Sequence, residues 1–169
     1  GNKISKIYGI LNGTSNYILS NMEKIKMDFE TVLKKAKELG YAESNPKSDL
    51  NGEDVKSKIQ ILSSLAFNCF INKSKINVEG INNIDQTDIK NARILGYKIK
   101  HLGVAELENG KLIQGVYPCL VKKESQISNV NDVSNAIIIE GKPIGKFVMQ
   151  GEGAGPGPTV SALVSDICS

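Results

Sequence analysis

Residues 97–121 carry the pattern that most limits how this chain can fold. Polar and apolar side chains alternate over residues 97–107, and Asn109-Gly110 follows as the dipeptide typical of a tight hairpin turn. Residues 112–121 then indicate a return strand of similar length. We therefore predict a long antiparallel hairpin and, with it, a sheet built mainly from antiparallel strands.

The segments around this hairpin supply mostly helices before it and strands after it. The predicted elements are a buried strand at 7–11, helices at 16–26, 28–39, 53–70 and 88–95, a short extended piece at 76–78, strands at 135–140 and 146–150, and an apolar helix at 159–168. The expected caps are Thr14 or Ser15 for the first helix, Asn51 for the third and Thr87 for the fourth, and Asp28 or the residue beside it is expected to start the second. This order predicts a single α+β domain, with a mostly antiparallel or mixed sheet covered on one face by helices.

Composition argues against several classes of partner. The formal net charge is +3 and the lysines are scattered, so neither a nucleic acid nor a membrane surface is indicated. The absence of Trp and the aromatic content of 5% also argue against base stacking. No apolar run approaches the roughly 20 residues of a membrane helix, and no signal peptide is visible. We expect a cytoplasmic protein.

Residues 40–58 hold the densest group of ionisable side chains that a ligand could use. Gly40 is placed to end one helix, and the polar loop that follows contains Glu43 and Asp49. The next helix begins with Asp54, which could complete a reciprocal cap, and carries Lys58 one turn later on the same side. We interpret the four charged side chains as a site for a small zwitterionic substrate, with Lys58 as the proton donor.

The spacing of Asp54 and Lys58 also fits an exposed ion pair, which contributes roughly 0.3–0.5 kcal/mol on a helix. The apolar side of this helix, however, places Lys58 at its border and Lys56 on the solvated side. We expect Lys58 to be buried among carboxylates, where desolvation and the negative charges shift the pKa of a lysine in opposite directions. A protonated ammonium there would neutralise an alkoxide that forms from a carbonyl.

Two glycine-containing junctions are further candidate sites. Asn12-Gly13-Thr14-Ser15 separates the predicted buried strand from a helix, so backbone N–H groups there could bind a carboxylate or phosphate. Residues 151–158 lie between a strand and a helix, as a phosphate-binding loop does, but they lack the complete dinucleotide fingerprint. Ordinary turns fit both stretches as well.

The single histidine and the three cysteines show no catalytic or metal-binding spacing. His101 lies in a predicted strand without a nearby Ser, Cys or acid partner, so we interpret it as structural. Cys69, Cys119 and Cys168 are odd in number and form no Cys-x-x-Cys pair, which is typical of free thiols in a reducing compartment. We predict no metal site.

Three segments together resemble one known family. They are Gly9-Ile10-Leu11-Asn12-Gly13-Thr14-Ser15-Asn16-Tyr17-Ile18-Leu19; Leu39-Gly40-Tyr41-Ala42-Glu43 with Asp49-Leu50-Asn51-Gly52-Glu53-Asp54 and Lys58; and Gly151-Glu152-Gly153-Ala154-Gly155 with Pro158-Thr159 and Ser161-Ala162. In this order, and over nearly the whole chain, they resemble the catalytic domain of homoserine dehydrogenase.

The resemblance implies reversible reduction of L-aspartate 4-semialdehyde to L-homoserine with NADP or NAD as the cofactor, in the pathway to threonine, isoleucine and methionine. It implies that Lys58 protonates the carbonyl oxygen during hydride transfer, with Asp54 as its partner. The other implied roles are substrate binding by Glu43 and Asp49, lining of the pocket by Gly13, Thr14 and Tyr41, and closure against the cofactor by Gly153, Ala154 and Gly155.

The family places an N-terminal Rossmann domain before this segment, and residues 1–169 contain no such domain. The chain begins at Gly1 without Met, so we expect a piece of a longer protein that is inactive by itself. As one substrate-binding and dimerisation domain it is expected to form a homodimer. The alternative is a stand-alone amino-acid-binding or regulatory module that keeps the fold without catalysis.

Overall fold

The structure, a computed structural model, describes residues 3–69 and 76–168. The helices within these ranges are α1 Gly13–Ile25, α2 Phe29–Glu38, α3 Lys47–Leu50, α4 Glu53–Phe67, α5 Gln86–Ile94 and α6 Pro156–Cys168, with a 3-10 helix at Gln126–Asn129. The strands are β1 Lys3–Ile10, β2 Asn77–Val78, β3 Tyr97–Glu108, β4 Lys111–Lys122, β5 Ser134–Lys142 and β6 Gly145–Glu152.

Six strands of the described ranges form one sheet in the order β2-β4-β3-β1-β5-β6. Neighbouring strands are antiparallel except β2 and β4, which are parallel. The predicted hairpin is confirmed, because β3 and β4 pair along their whole length up to Glu108 opposite Lys111. Asn109 and Gly110 between them have φ angles of 50° and 79°, the left-handed geometry that this turn requires. The α+β class is confirmed.

Helix α4 packs against one face of the sheet and is held there by close apolar contacts. Val55 and Ile59 are fully buried in a cluster with Ile7 of β1 and Ala105 of β3. Gly103 of β3 permits this approach, since a Cβ atom there would lie 3.0 Å from Val55 and 3.2 Å from Ile59. Burial of two such side chains stabilises the packing by about 3–6 kcal/mol. The helix that carries Asp54 and Lys58 is therefore firmly placed.

The opposite face of the sheet is only partly covered. Ile127 and Val130, in and after the 3-10 helix, pack with Ile10 and Leu102 in a second buried cluster. Farther along the same face, Tyr8 is only half-buried and donates a hydrogen bond from its hydroxyl to Glu140. Helices therefore cover mainly one face of the sheet, as predicted.

The helix caps differ from the predicted ones. Asn12 caps α1 in place of Thr14 or Ser15, and Asp85 caps α5 in place of Thr87. Gly52, at φ 87°, is the residue before α4, although Asn51 Oδ1 still accepts a hydrogen bond from the backbone N–H of Glu53. Helix α2 begins at Phe29, in agreement with the predicted start at Asp28 or the residue beside it, and Asp28 is its cap. A cap one or two residues earlier is favoured wherever that side chain reaches the free N–H groups of the first turn.

Three further observations concern individual helices. Helix α3 was not predicted, because its four residues are too few to show a period. Helix α4 ends at Phe67, and the predicted end at Phe70 lies outside the described residues. Helix α6 exposes apolar side chains, among them Leu163 at 56% and Ile167 at 82%. None of the described helices is long and apolar enough to cross a membrane.

Candidate active site

One cavity brings together all the residues to which the family resemblance assigns a catalytic or binding role. This acidic cavity, of about 480 Å³, lies between the start of α1, the loop after α2, the start of α4 and the end of β6. Its lining comprises the predicted Gly13, Thr14, Tyr41, Glu43, Asp49, Asp54, Lys58, Gly153, Ala154 and Gly155, together with Asn12, Leu39, Gly40, Val133 and Asn135.

Lys58 lies at the mouth of the acidic cavity and is held by two short hydrogen bonds. Its Nζ donates to Asp54 Oδ2 at 2.8 Å and to the carbonyl of Leu11 at 3.0 Å. Asp54 is one turn earlier on α4, and Leu11 follows β1, so the helix and the sheet jointly orient the ammonium. An amine with two of its three protons engaged in this way has one left for a ligand.

The expected burial of Lys58 is wrong. Its side chain is 45% exposed, whereas the side chain of Lys56, placed on the solvated side from the sequence, is only 31% exposed and pairs with Glu53. Helical periodicity located the border of the apolar face but could not show that the cavity opens beside Lys58. The ammonium is fixed by Asp54 and Leu11 rather than enclosed by hydrocarbon.

Asn12 links the two aspartates of the cavity and was not recognised from the sequence as a site residue. Its side chain is nearly buried, and Nδ2 donates to Asp49 Oδ1 at 2.9 Å and to Asp54 Oδ2 at 2.8 Å. Its Oδ1 accepts from the backbone N–H of Ser15 as the cap of α1. The reciprocal cap predicted for Asp54 is wrong for this reason: its carboxylate turns toward Asn12 and Lys58. A polar residue directly after a buried strand was the available signal.

The loop after α2 forms another wall. Thr14 Oγ1 donates to the carbonyl of Tyr41 at 2.7 Å, and the ring of Tyr41 packs against Tyr17 with centroids 5.0 Å apart. Gly40, at φ 77°, provides the left-handed residue that ends the helix and starts the loop, as predicted. Glu43 follows as an exposed carboxylate at the rim of the cavity.

The charges in the acidic cavity suit a zwitterion. Three carboxylates, Glu43, Asp49 and Asp54, face one ammonium among the described lining residues, which favours a ligand that carries its own positive charge. Next to Asn12, Gly13 and Thr14 begin the 13-residue helix α1, whose free N–H groups favour a negative group. An α-amino acid carries an ammonium and a carboxylate on the same carbon atom.

A second depression, the apolar groove, borders the acidic cavity. It has a volume of about 490 Å³ and is lined mainly by side chains and backbone from α4, β5 and β6, including Leu62, Ile137 and Met149. Lys58, Asn135 and Gly153 line both depressions. The ammonium of Lys58 therefore lies where a polar ligand in one depression would meet an apolar, flat group in the other.

The glycine-rich segment after β6 lies against Asn135. A Cβ atom at Gly153 would come within 1.8 Å of Asn135 Nδ2, whereas at Gly151 no atom of the described residues, apart from its chain neighbours, lies within 4 Å of the corresponding position. Gly155 has a φ of 118°, which other residues rarely adopt. Only glycine therefore fits at position 153 unless the Asn135 amide moves.

His101 and the cysteines lie apart from both depressions. His101 is buried, its Nε2 donates to the carbonyl of Glu79 at 2.9 Å, and burial lowers its pKa, so the ring is neutral. Its Nδ1 has no partner in the described ranges. Cys69, Cys119 and Cys168 are free thiols, and burial raises the pKa of Cys119, which makes it a poor nucleophile.

The profile of the homoserine dehydrogenase family matches residues 1–168. Curated homoserine dehydrogenases from Neisseria gonorrhoeae and Synechocystis are 46% and 43% identical over 98% and 99% of this chain. A solved homoserine dehydrogenase from Thiobacillus denitrificans superimposes with a TM-score of 0.96 at 40% identity, covering 98% of this chain and 38% of that one. The enzyme from S. aureus gives 0.94 at 45% identity, covering 99% and 42%. The chain spans 38% and 40% of the length of the two curated relatives.

Proposed function

This chain belongs to the homoserine dehydrogenase family of oxidoreductases, and on that premise we propose that it forms the substrate-binding and catalytic domain of an enzyme that interconverts L-aspartate 4-semialdehyde and L-homoserine. The observation that carries the proposal is the position of Lys58, whose ammonium is oriented by Asp54 and Leu11 between an acidic cavity and an apolar groove.

The acidic cavity binds the amino-acid end of the substrate in this proposal. Glu43 and Asp49 attract the substrate ammonium, while the N-terminus of α1 at Gly13 and Thr14 receives its carboxylate. Tyr41 covers the loop side of the bound molecule. The side-chain carbon with the aldehyde or alcohol then extends toward Lys58, because the other walls of the cavity are occupied by these charged contacts.

The apolar groove fits a nicotinamide ring. Leu62 and Ile137 provide flat apolar walls, and the missing Cβ of Gly153 leaves room at the border with the acidic cavity. Gly153, Ala154 and Gly155 would close against the bound NADP or NAD, and we assign most of its other contacts to a separate Rossmann domain. When it is bound, the dinucleotide supplies or accepts the hydride at the substrate carbon.

Lys58 handles the proton in this scheme. In the direction of aldehyde reduction, its Nζ donates a proton to the carbonyl oxygen, which would otherwise become an alkoxide, and in the reverse direction the neutral amine accepts the proton of the hydroxyl. Asp54 accepts a hydrogen bond from the same Nζ at 2.8 Å, so it fixes the direction of the amine. Asn12 holds Asp54 in turn.

Two further parts of the proposal concern assembly and location. The half-buried sheet face around Tyr8, Val104 and Val148 is the surface that we assign to pairing with a second copy of the chain, as a homodimer. The reaction belongs to threonine, isoleucine and methionine synthesis, and we assign it to the cytoplasm.

A hybrid protein tests the proposal. The 169 residues replace the matching 42% of the S. aureus homoserine dehydrogenase, so that the relative supplies the remainder of its own chain. We expect the hybrid to oxidise L-homoserine and to reduce NADP or NAD within about tenfold of the parent rate, since catalytic residues placed on the same fold retain most of their effect.

A folded hybrid that binds L-homoserine in calorimetry but shows no oxidation would contradict the proposal and favour the amino-acid-binding module. L-threonine serves as the matched control ligand, since it carries the same two charged groups and also carries a hydroxyl, but on a different carbon.

A further inference from the structure

A second lysine of the fold, Lys100 on β3, is buried, and within the described ranges no carboxylate pairs with it. It is 1% exposed, and its ammonium donates a hydrogen bond to the carbonyl of Val130. The ammonium also donates to the side-chain oxygens of Asn16 and Asn131, both at 3.2 Å, and to Ser20 Oγ at 3.4 Å. Burial of a cation among neutral oxygens is unfavourable. Loss of water contact, with a smaller contribution from nearby Lys98, lowers its pKa to about 8. An apolar side chain would fill this space at less cost.

Asn16 of α1 connects this ammonium to the chain segment before β5. Asn16 is fully buried, and its Nδ2 donates to the carbonyls of Val130, Asp132 and Ser134 at 3.1, 3.0 and 3.1 Å. Its Oδ1 accepts from Lys100. These contacts, the Lys100–Asn16 clamp, attach residues 130–134 to α1 through the backbone carbonyls of this segment.

The clamped segment forms one wall of the acidic cavity. Val133 and Asn135 line the cavity, and a Cβ atom at Gly13 would lie only 2.9 Å from the carbonyl oxygen of Val133. The distance between this wall and the start of α1 therefore depends on the position of residues 130–134. An outward shift of this segment would widen the cavity at the end that we assign to the substrate carboxylate.

We propose that Lys100 is a positioning residue for amino-acid binding: acting through Asn16 and the carbonyl of Val130, it fixes the wall at Val133 and Asn135 against Gly13. It lines neither depression, so in this proposal it acts only through its hydrogen bonds. The inference rests on the proposed function for the identity of the ligand, L-homoserine, and on hydrogen bonds alone for the position of the wall.

The test compares Lys100→Met with Lys98→Met in the 169-residue chain. Methionine keeps most of the volume of Lys100 but has no donor for the clamp. Lys98 lies two residues earlier on the same strand and donates to the carbonyl of Ser128 at 3.2 Å, outside the clamped segment. Calorimetric titration with L-homoserine gives both the dissociation constant and the fraction of chain that binds.

We expect Lys100→Met to raise the dissociation constant about tenfold, equivalent to about 1.4 kcal/mol, with Lys98→Met within about twofold of the unmodified chain. Hydrogen–deuterium exchange should rise at residues 130–135 in Lys100→Met only. A purely structural lysine would instead lower the fraction that binds and leave the dissociation constant unchanged, and that result would overturn the inference.

A second variant covers the case in which Lys100→Met does not fold. Asn131→Ala, at an exposed position, removes one acceptor of the ammonium and should raise the dissociation constant about threefold, the effect of a partial loss of one hydrogen bond. An unchanged constant would count against the clamp. If the unmodified chain does not bind L-homoserine, the proposed function fails, while exchange at residues 130–135 still decides whether Lys100 holds the wall.

Discussion

Asn12 offers a sharp test of how the acidic cavity is held together. One nitrogen, Nδ2, donates to both Asp49 and Asp54, and it separates two carboxylates that would otherwise repel each other. Asn12→Asp and Asn12→Ser both keep a side chain that caps α1 well. They differ in charge, because aspartate adds a third carboxylate next to two others and serine only removes the amide.

The structure sets the size of the two effects. Hydrogen bonds to charged groups contribute about 1.5–3 kcal/mol, and because Asp49 and Asp54 are only half-buried we expect Asn12→Ser to lose about 1.5 kcal/mol of unfolding free energy at pH 7. A like charge at about 4 Å adds up to about 4 kcal/mol at an effective dielectric of about 20. After screening, we expect Asn12→Asp to lose about 3–5 kcal/mol in total at pH 7.

The pH dependence distinguishes repulsion from simple loss of a contact. The two existing carboxylates raise the pKa of the new carboxyl in the folded state above its unfolded value of about 3.9. The penalty is therefore present at neutral pH and disappears as the pH falls, because the folded state then takes up the proton. In urea titrations, Asn12→Asp should approach Asn12→Ser at pH 4.5.

A compensating change gives the control. Asn12→Asp combined with Asp49→Asn exchanges amide and carboxylate, so the double variant should recover at least half of the lost stability. The reasoning is refuted if Asn12→Asp is as stable as the unmodified chain at pH 7, or if its deficit is the same at pH 4.5 and in the double variant.

Three other predictions follow from particular residues. Gly153→Ala should lower stability by about 1–3 kcal/mol in urea titrations by displacing Asn135, whereas Gly151→Ala, with free space around it, should change it by less than about 1 kcal/mol; equal effects would contradict this. Burial lowers the pKa of His101, so as the pH falls the unfolded chain becomes protonated at this residue before the folded chain does, and the free energy of unfolding decreases from pH 7.5 to 5.5. The Tm of His101→Gln should therefore depend less on pH across that range than the Tm of the unmodified chain. An equal dependence of Tm on pH in both proteins would exclude His101 as the cause. The 169-residue chain alone should not reduce NADP with L-homoserine in a spectrophotometric assay, and turnover near the rate of a complete enzyme would refute that.

Much of the fold follows from local patterns. The alternation on either side of Asn109-Gly110 predicts β3 and β4, because register and turn type are both local properties. Strand order is not local: β1 lies between β3 and β5, and no nearby residue specifies that. The caps at Asn12 and Asp85 were misplaced because several polar residues in succession can each reach the first turn of a helix.

The residues of the candidate site were predictable chiefly from the resemblance of three segments to a known family. Their spacing alone fitted an ion pair and two turns equally well. Asn135, in β5, and Val133, just before it, were missed because they come to the cavity from more than a hundred residues away from Gly13. The exposure of Lys58 was misjudged because helical periodicity describes contact with the core and carries no information about an open cavity.

The turnover number of Lys58→Ala in the hybrid with the S. aureus enzyme, measured against Lys56→Ala, tests the central claim most directly. Both lysines lie on α4 and pair with an acid of the same helix, but only Lys58 lines the acidic cavity. Loss of a proton donor lowers kcat by about 10²–10⁴-fold, so we predict that loss for Lys58→Ala, with Tm unchanged, and at most about a twofold change for Lys56→Ala. Comparable kcat values in the two variants would contradict the assignment of Lys58 as the proton donor.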